Sequence, residues 1–445
     1  MKSKDFSTNH KNNHDDYQRG YGTVQFRLVL LCSIILSFSI IPMTKTCSAD
    51  AVGTVYIRAD GSIEGTTYIQ TVDNITYVFT ANINDSIVVE RNNIIIEGNG
   101  HTLQGAGSGR GIELLERTNV TVHNATIKAF HDGIVLDYSS SSNVLSGNNI
   151  TNNSGGIALA CSSNNTVSGN NITTNDVGIV LTCSSNNTLA GNIMTNNLQN
   201  FAVWGTAFSD FVNYVDTSNM VDGKPVYYWI NKCNMTVPSV AGTVVLANCT
   251  RITVPNLNLT HNGQGILLAY TTNSTITQNN IANFILFGIR LDYSSNNTVS
   301  GNNITTHLNG VYGIFLYSSS NNTVSGNNIT TNDVGIVLDY SSNNVIYHNN
   351  FVDNHEQVSS NTSMNVWDDG YPSGGNYWSD YNGTDANHDG IGDTPYVIDA
   401  NNTDHYPLMV QYVIPEFPSF LVLPLFMVAT LLAIVIYKRR HLTRA

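Results

Sequence analysis

The chain has 445 residues and a net charge of -13, and only 11% of its residues are charged. Asn, Ser, Thr and Gly stand where a helical protein would carry Lys and Glu on its surface, so the composition argues against a helical fold. The negative charge is scattered, which disfavours nucleic acid and anionic lipid as partners.

Residues 1–49 form the first predicted segment. An apolar run from Leu28 to Met43 follows several Lys and Arg residues and precedes Cys47-Ser48-Ala49, a small-residue cleavage context. This order is typical of a secretory signal peptide that is cleaved after Ala49. The long polar stretch ahead of the apolar run leaves an uncleaved signal anchor as the alternative.

Residues 50–200 and 256–357 carry a sequence repeat. The block CSSNNTVSGNNITTNDVGIVL, which starts at Cys161, returns in variants with a period of about 22 to 25 residues. Each repeat holds short segments of alternating apolar pattern, separated by Ser, Asn, Gly and Asp turns. This predicts an all-β solenoid with three strands per coil: an N-terminal cap with a first stack over 50–200, and a second stack over 256–357.

One asparagine recurs three residues after the first apolar position of the repeat. In stacked coils these side chains would lie above one another, about 4.8 Å apart, and would form an asparagine ladder hydrogen-bonded along the stack. The predicted ladder residues are Asn148, Asn170, Asn192, Asn279, Asn302, Asn327 and Asn349.

Residues 201–255 abandon the period and are predicted to be an irregular, aromatic-rich insertion. Such an insertion needs a small core of its own, and the alternative is that its rings stack on sugars. The aromatic residues are Phe201, Trp204, Phe208, Phe211, Tyr214, Tyr227, Tyr228 and Trp229.

Four cysteines follow the predicted signal segment. Cys161 and Cys183 occupy the same position in adjacent repeats, so their Cα atoms should be about 5 Å apart, within the range that a disulfide accepts. Cys233 and Cys249 flank Pro238 in the insertion and form a second predicted pair. Free thiols are the alternative for both pairs.

Residues 358–410 are predicted to be a C-terminal module with a calcium loop. The spacing of the EF-hand loop is met at positions 1, 3, 5 and 9, with Gly390 at position 6 and a backbone carbonyl at position 7. Position 12 is Tyr396 instead of Glu, so Asp399 or Asp404 would have to complete the site. An acidic turn that caps the last coil is the alternative. The predicted ligands are Asp385, Asn387, Asp389, Ile391 and Asp393.

Residues 411–445 are predicted to be a linker, a transmembrane helix and a basic cytoplasmic tail. The apolar run from Phe420 to Tyr437 is long enough to span a bilayer, and Lys438, Arg439 and Arg440 follow it. Because positive residues stay in the cytoplasm, the β-helix is expected on the extracellular side of a single-pass cell-membrane protein.

The repeats, together with IIIEGNGHTLQG in the N-terminal part, DGKPVYYW from Asp222 and GNYWSDYNGTDANHDGIGDTPY from Gly375, resemble NosD-type proteins of the carbohydrate-binding and sugar-hydrolase repeat group. The resemblance is to archaeal cell-surface members and covers most of residues 54–410. It implies a right-handed parallel β-helix. It also implies copper as a cofactor, although the His and Met residues form no spaced copper motif. PEFPS at Pro415 resembles a surface-sorting signal, whose apolar segment could be removed.

The function predicted from these features is non-catalytic binding or adhesion to an envelope or extracellular glycan. The alternatives are a polysaccharide lyase or hydrolase and a NosD-like copper-binding accessory protein. Asp137, Asp292 and Asp339 share one slot of the repeat, but no two of them lie on adjacent coils, so they are interpreted as turn residues. Asn-x-Ser/Thr sequons such as the one at Asn74 make the exported chain a potential glycoprotein.

Overall fold

A computed structural model describes residues 54–414, and they form an all-β solenoid of short parallel strands. The helical content of this range is one 3-10 turn, Phe208–Phe211. The predicted all-β solenoid is therefore confirmed. Within this range no helix is long and apolar enough to cross a membrane. The predicted signal segment and the predicted transmembrane helix lie outside the described residues.

The first stack has three sheets. Sheet A contains Ile63–Glu64, Val55–Ile57, Ile87–Val89, Arg110–Leu115, Asp132–Asp137, Gly155–Ala160, Val177–Thr182 and Gln199–Trp204. Sheet B contains Tyr214–Val215, Thr188–Ala190, Thr166–Ser168, Val144–Ser146, Val120–His123, Ile94–Glu97, Thr76–Phe79 and Ile69–Gln70. The first-stack strands of sheet C are Thr102–Gln104, Thr126–Lys128, Asn149–Thr151, Asn171–Thr173, Ile193–Thr195 and Met220–Val221.

The second stack continues sheet C and adds two sheets. Its strands in sheet C are Lys224–Ile230, Thr243–Ala247, Gln264–Ala269, Phe287–Asp292, Tyr312–Tyr317, Val334–Asp339 and Glu356–Asn361. Sheet D contains Cys233–Thr236, Thr250–Pro255, Thr275–Thr277, Thr298–Ser300, Thr323–Ser325 and Val345–Tyr347. Sheet E contains Asn258–Thr260, Asn280–Ala282, Asn303–Thr305, Asn328–Thr330, Asn350–Val352 and Tyr377–Trp378. A separate two-stranded hairpin pairs Tyr396–Asp399 with Asn402–Asp404.

The two stacks meet at a hairpin in sheet C, where Met220–Val221 pairs antiparallel with Lys224–Ile230. After this reversal, alternate side chains of the sheet belong to different cores. Val245 and Ala247 pack in the first core, whereas Val244 and Leu246 pack in the second. Because neighbouring residues of a strand point to opposite faces, the second core lies on the opposite side of sheet C from the first.

The aromatic residues of 201–255 contribute to this junction instead of forming a core of their own. Phe201, Phe211 and Tyr228 pack into the first core, and Tyr227 and Trp229 pack against the second. The Tyr228 hydroxyl donates to the backbone oxygen of Phe211 at 2.7 Å. Burial of this hydroxyl raises the pKa of Tyr228 well above its ordinary value. The core therefore moves from one face of sheet C to the other within residues 201–255.

The structure places the seven predicted ladder asparagines in two continuous columns, one in each stack. Asn302 is typical: its Nδ2 donates to Asn327 Oδ1 at 2.9 Å and to the backbone oxygen of Ile276 at 3.0 Å. Its Oδ1 accepts from the backbone nitrogen and the Nδ2 of Asn279, at 3.0 and 2.8 Å. The asparagine ladder is buried inside the turns, since Asn302 and Asn327 have no exposed surface.

The same hydrogen-bonding scheme recurs in three further columns. One is another asparagine column, Asn143, Asn165, Asn187 and Asn213 in the first stack and Asn297, Asn322, Asn344 and Asn365 in the second. A third follows the sheet C or sheet E strands, with Asn153, Asn175 and Asn197 and with Asn332 and Asn354. The last is a hydroxyl column that includes Ser162, Ser184, Thr271, Ser294, Ser319, Ser341 and Ser363.

The C-terminal hairpin supplies the last members of two columns. The backbone nitrogen of Asn365 donates to Asn402 Oδ1 at 2.9 Å, and the backbone nitrogen of Asn376 donates to Asp404 Oδ2 at 2.7 Å. Trp378 closes the core, and its Nε1 donates to Asp404 Oδ2 at 2.9 Å. Residues 358–410 therefore end the second stack in the way that one more coil would.

Burial raises the pKa of Asp404 to about 6. In the unfolded chain the Asp404 carboxyl has its ordinary pKa near 3.8, so the folded chain binds a proton at Asp404 more tightly. The free energy of unfolding should therefore rise as the pH falls from 7.5 to 4.5. The expected gain is on the order of 1–3 kcal/mol. Urea unfolding at several pH values would measure it. The gain should disappear in Asp404→Asn, and an equal gain in that variant would contradict the assignment to Asp404.

Candidate functional site: a charged face on the first stack

The outward side chains of sheet A begin the candidate site. In the first coils Ile57, Val89 and Leu114 point into the core. Because neighbouring residues of a strand point to opposite faces, the residues next to these three in their strands point outward. The strand register places Val88 beside Glu113. It places Leu115 beside Asp137 one column further along the strands.

Arginines pair with the carboxylates of this face across coils. Arg58 Nη1 lies 2.8 Å from Glu90 Oε1, and Arg58 also pairs with Glu64. The hydrogen bond that Arg58 donates to Glu64 raises the pKa of Arg58, which stays a cation. Arg110 pairs with Glu113, and its Nη2 lies 4.0 Å from Asp137 Oδ2. We call the set Tyr56, Arg58, Glu64, Glu90, Arg110, Glu113, Leu115, Glu116, Arg117, Asp137 and Tyr138 the charged face.

A shallow depression of about 440 Å³ opens on the charged face. Its apolar floor includes Val88 and Leu115, and its polar lining includes Glu90, Glu113, Glu116, Arg117 and Tyr138. Arg117 is fixed by donating to the backbone oxygens of Leu115 at 2.7 Å and of Glu90 at 2.6 Å. The Tyr138 side chain is 64% exposed.

Arginine and glutamate concentrate in the part of the chain that carries this face. Four of the six arginines and five of the six glutamates in residues 54–414 occur before residue 118: Arg58, Arg91, Arg110, Arg117, Glu64, Glu90, Glu97, Glu113 and Glu116. Exposed ion pairs contribute only about 0–1 kcal/mol each, so the fold does not require this concentration. In the later coils the exposed ion pairs are those of histidines, such as His261 with Asp222 and His355 with Asp333, so the arginine–carboxylate pairs make the charged face the candidate site.

The structure brings other sequence-predicted residues together without making them ligand sites. The asparagine ladder is buried, so it holds the coils in register and offers no surface to a ligand. Asp292 is buried as well, with its Oδ2 2.8 Å from Arg290 Nη2. Among the three acids of the repeat slot, Asp137 is the one that belongs to the charged face.

The cysteine pairs differ in their surroundings. Cys161 and Cys183 are both exposed, and they follow strands whose register aligns Ala160 with Thr182. Cys249 is buried, with its Sγ 3.4 Å from the backbone oxygen of Trp229, and so occupies a position of the hydroxyl column. Burial raises the pKa of the Cys249 thiol. Cys233 is exposed. Both disulfides stay predictions.

The carboxylates of the predicted calcium loop accept hydrogen bonds from the loop itself. Asp385 Oδ2 accepts from the backbone nitrogen of Gly390 at 2.9 Å, and Asp389 Oδ1 accepts from that of Ile391 at 2.9 Å. The second of these lowers the pKa of Asp389. Across residues 54–414, no three His, Cys, Asp or Glu side chains are gathered so that they could hold a metal ion. Asp399 and Asp404, which were expected to complete the calcium site, instead accept hydrogen bonds from Asn402 and Asn376 at the end of the second stack. Calcium at this loop stays a prediction.

The imidazole donors that copper would use are dispersed. His123 pairs with Glu97 at 3.0 Å and His261 pairs with Asp222 at 3.1 Å, so these imidazoles have carboxylate partners. Met194 is buried in the first core. The soft donors that the fold does place side by side at the surface are the thiols of Cys161 and Cys183.

Sequence reasoning missed the charged face, because its residues come from several different coils and share no common motif. For example, Arg58 and Glu90 are separated by 32 positions. The available signal was the concentration of Arg and Glu before residue 118 in a chain otherwise rich in Asn, Ser and Thr.

The sequence model of the family described as "Periplasmic copper-binding protein (NosD)" matches residues 44–226 and 230–383. No curated protein matches the chain significantly.

Among solved structures, the chain is similar to the A-module of the mannuronan C-5 epimerase AlgE6 of Azotobacter vinelandii, with 14% identity, 65% of this chain and 88% of that chain covered, and a TM-score of 0.25. It is similar to a tailspike protein mutant of E. coli bacteriophage HK620 in complex with a hexasaccharide, with 11% identity, 63% of this chain and 59% of that chain covered, and a TM-score of 0.29. It is also similar to the GH136 lacto-N-biosidase of Eubacterium ramulus, with 12% identity, 65% of this chain and 60% of that chain covered, and a TM-score of 0.28.

Proposed function

The chain belongs to the NosD family, and we propose that it is an exported surface protein that binds a neutral glycan on the charged face without cleaving it. The observation that carries this proposal is a depression that joins an apolar floor to carboxylates, a guanidinium and an exposed tyrosine ring.

Each part of the depression suits a different part of a sugar. Val88 and Leu115 can cover the C–H face of a pyranose ring, and the Tyr138 ring can stack on it. Glu113 and Arg117 present planar groups with several hydrogen-bonding atoms, which match neighbouring hydroxyls. The charged face has three positive and five negative side chains. The positive ones are Arg58, Arg110 and Arg117, and the negative ones are Glu64, Glu90, Glu113, Glu116 and Asp137. This excess of negative charge disfavours an anionic polysaccharide.

A glycan array probed with the full chain tests this proposal, and titration with the best neutral glycan should give the following pattern. We expect Tyr138→Ala to weaken binding about tenfold, because truncating an exposed aromatic anchor typically costs more than about 1 kcal/mol. Tyr214→Ala is the matched control, since Tyr214 is exposed to a similar degree, 60% against 64%, but lies on sheet B. Binding that is lost equally in both variants, or found for no glycan, would refute the proposal.

Hydrolysis is the second candidate, because Glu90, Glu113 and Glu116 line the same depression. Glycosidases use two carboxylates about 5–9.5 Å apart, one as the acid and one as the base or nucleophile. The release of reducing ends from a bound glycan by the wild-type chain, and its loss in Glu113→Gln, would assign the face to an enzyme. Binding without release would assign it to a binding protein.

The cellular location is part of the same proposal. Residues 1–49 would export the chain, and Phe420–Tyr437 would hold it to the outer face of the membrane, unless the sorting signal at Pro415 leads to removal of that segment. Protease treatment of intact cells should degrade residues 54–414. Protection of this range until the cells are broken would contradict an external location.

A further inference from the structure

The second stack begins with an incomplete coil. This coil consists of Lys224–Ile230 in sheet C and Cys233–Thr236 in sheet D, and sheet E begins one coil later with Asn258–Thr260. Antiparallel hairpins close the N-terminal end of the first stack and the C-terminal end of the second stack. In the part of the chain that the structure describes, no strand precedes Cys233–Thr236 in sheet D.

Side chains of this first coil occupy core positions without being fully covered. The strand register aligns Trp229 with Leu246 and Met235 with Ile252. Leu246 and Ile252 are fully buried in the second core. In contrast, Met235 is 42% exposed, and Trp229 is only partly buried, with the Tyr227 ring packed edge to face against it at 6.0 Å between centroids. We call Tyr227, Trp229, Met235 and the strand Cys233–Thr236 the open end.

The strand Cys233–Thr236 has one unpaired edge. It is the first strand of sheet D, and Thr250–Pro255 pairs with its other edge. At that paired edge the backbone nitrogen of Val237 donates to the oxygen of Thr253 at 2.8 Å. Because successive backbone N–H groups of a strand point to opposite edges, the N–H and C=O groups of Thr236 face the unpaired edge. All four residues of the strand are exposed, so these backbone groups are accessible to a further strand.

The surroundings of the open end are positively charged, although the chain as a whole has a net charge of -13. Lys224 and Lys232 belong to the first coil, and Arg251 belongs to the neighbouring strand of sheet D. The sequence between Asp222 and Asp292 contains no acidic residue. These charges attract an acidic ligand, and they oppose the pairing of two copies of the open end, because such pairing would bring like charges together.

We propose that the open end binds an extended, acidic segment of another protein, which adds to sheet D as a further strand. The backbone of the segment exchanges hydrogen bonds with Thr236, as in other complexes that form by strand addition. Because side chains alternate along a strand, apolar side chains on one face of the segment cover Trp229 and Met235. Carboxylates on its other face lie beside Lys232 and Arg251. This activity goes beyond glycan binding and uses no residue of the charged face.

A labelled synthetic peptide in which valine and glutamate alternate is the probe, and its fluorescence anisotropy is followed as the full chain is added. We expect Thr236→Pro to weaken binding at least about fivefold, because proline removes the N–H group that donates to the peptide. Thr236→Ala is the matched control, since it keeps this N–H group and should bind as the wild type does. Proline is tolerated on an edge strand, and the bond from Val237 to Thr253 remains, so the proline variant should stay folded.

Reversal of one charge gives a second readout. Lys232→Glu should weaken binding of the acidic peptide at least about threefold, whereas Lys128→Glu, which reverses a charge on the first stack, should leave binding unchanged. Hydrogen exchange of the amides in Cys233–Thr236 should slow when the peptide is bound.

Equal binding of the peptide by the wild type and by Thr236→Pro would overturn the proposal. So would hydrogen exchange in Cys233–Thr236 that the peptide does not change, or tighter binding of a peptide with lysine in place of glutamate. A dimer of the chain that Thr236→Pro abolishes would also overturn it, because a second copy would then occupy the edge. None of these outcomes depends on whether the charged face binds a glycan.

Discussion

Replacing Asn302 with Ala should lower the free energy of unfolding by about 3–5 kcal/mol. The side chain has no exposed surface and bridges two neighbouring asparagines of the ladder. Its loss leaves the buried backbone nitrogen of Asn279 and the backbone oxygen of Ile276 without their partners. A buried polar group that loses its partner costs about 1–3 kcal/mol, so at least two such losses add up to the predicted value.

Asn303→Ala is the matched control for this experiment. Asn303 is the next residue, it is exposed, and its Nδ2 donates at the surface to Asn280 Oδ1 at 2.8 Å. Its replacement should change stability by no more than about 0.5 kcal/mol. Urea unfolding followed by circular dichroism compares the two variants. Equal effects would mean that the buried ladder contributes no more than a surface contact does.

Replacing Arg290 with Leu should cost about 3–5 kcal/mol, because it leaves the Asp292 carboxylate buried without its counter-ion. Both side chains are almost fully buried, at 4% and 1% exposure. Burial raises the pKa of Asp292, and the charge of Arg290 opposes that shift. The Arg290 guanidinium also lies over Trp204, at 4.7 Å from the ring centroid.

The position of this pair explains why it should matter. It belongs to an outer apolar cluster in which Trp204 of the first stack packs against Phe287, Phe315 and Val337 of the second stack. In the double variant Arg290→Leu with Asp292→Leu no buried charge is left alone, and it should recover most of the lost stability. Urea midpoints of the two variants test this. A double variant that is as unstable as the single one would show that packing of the guanidinium, and not the unpaired carboxylate, dominates.

The regular part of the fold could be predicted from the sequence, because in a solenoid the sequence period becomes the spatial register. Residues such as Asn148 and Asn170, 22 positions apart, therefore lie in contact. The prediction did not extend to their burial. Asparagine is polar, yet here it satisfies the backbone groups of its own turns and of the next coil, which is a tertiary arrangement.

The junction between the stacks could not be predicted from the same pattern. Val244, Val245, Leu246 and Ala247 are consecutive apolar residues, which fits a strand buried on both faces but does not show that the two faces belong to two different cores. The C-terminal hairpin was hidden for a related reason. Asn402 and Asp404 complete the columns from a two-stranded ribbon and not from a repeat, so no periodic signal marks them.

The charged face is the part of the candidate site that only the structure assembles. Glu90, Glu113 and Tyr138 come from three successive coils without repeat motifs in common, and the strand register brings them to one depression. The exposed thiol pair was accessible from the sequence, since the two cysteines share one repeat position.

Hydroxyl-radical footprinting of the full chain, with and without the best-bound neutral glycan, tests the central claim most directly. Binding at the charged face predicts that Leu115 and Tyr138 become protected from oxidation while Tyr214 on sheet B reacts as before. Unchanged oxidation of Leu115 and Tyr138 under saturating glycan, with protection elsewhere on the solenoid, would contradict the claim that this face is the binding site.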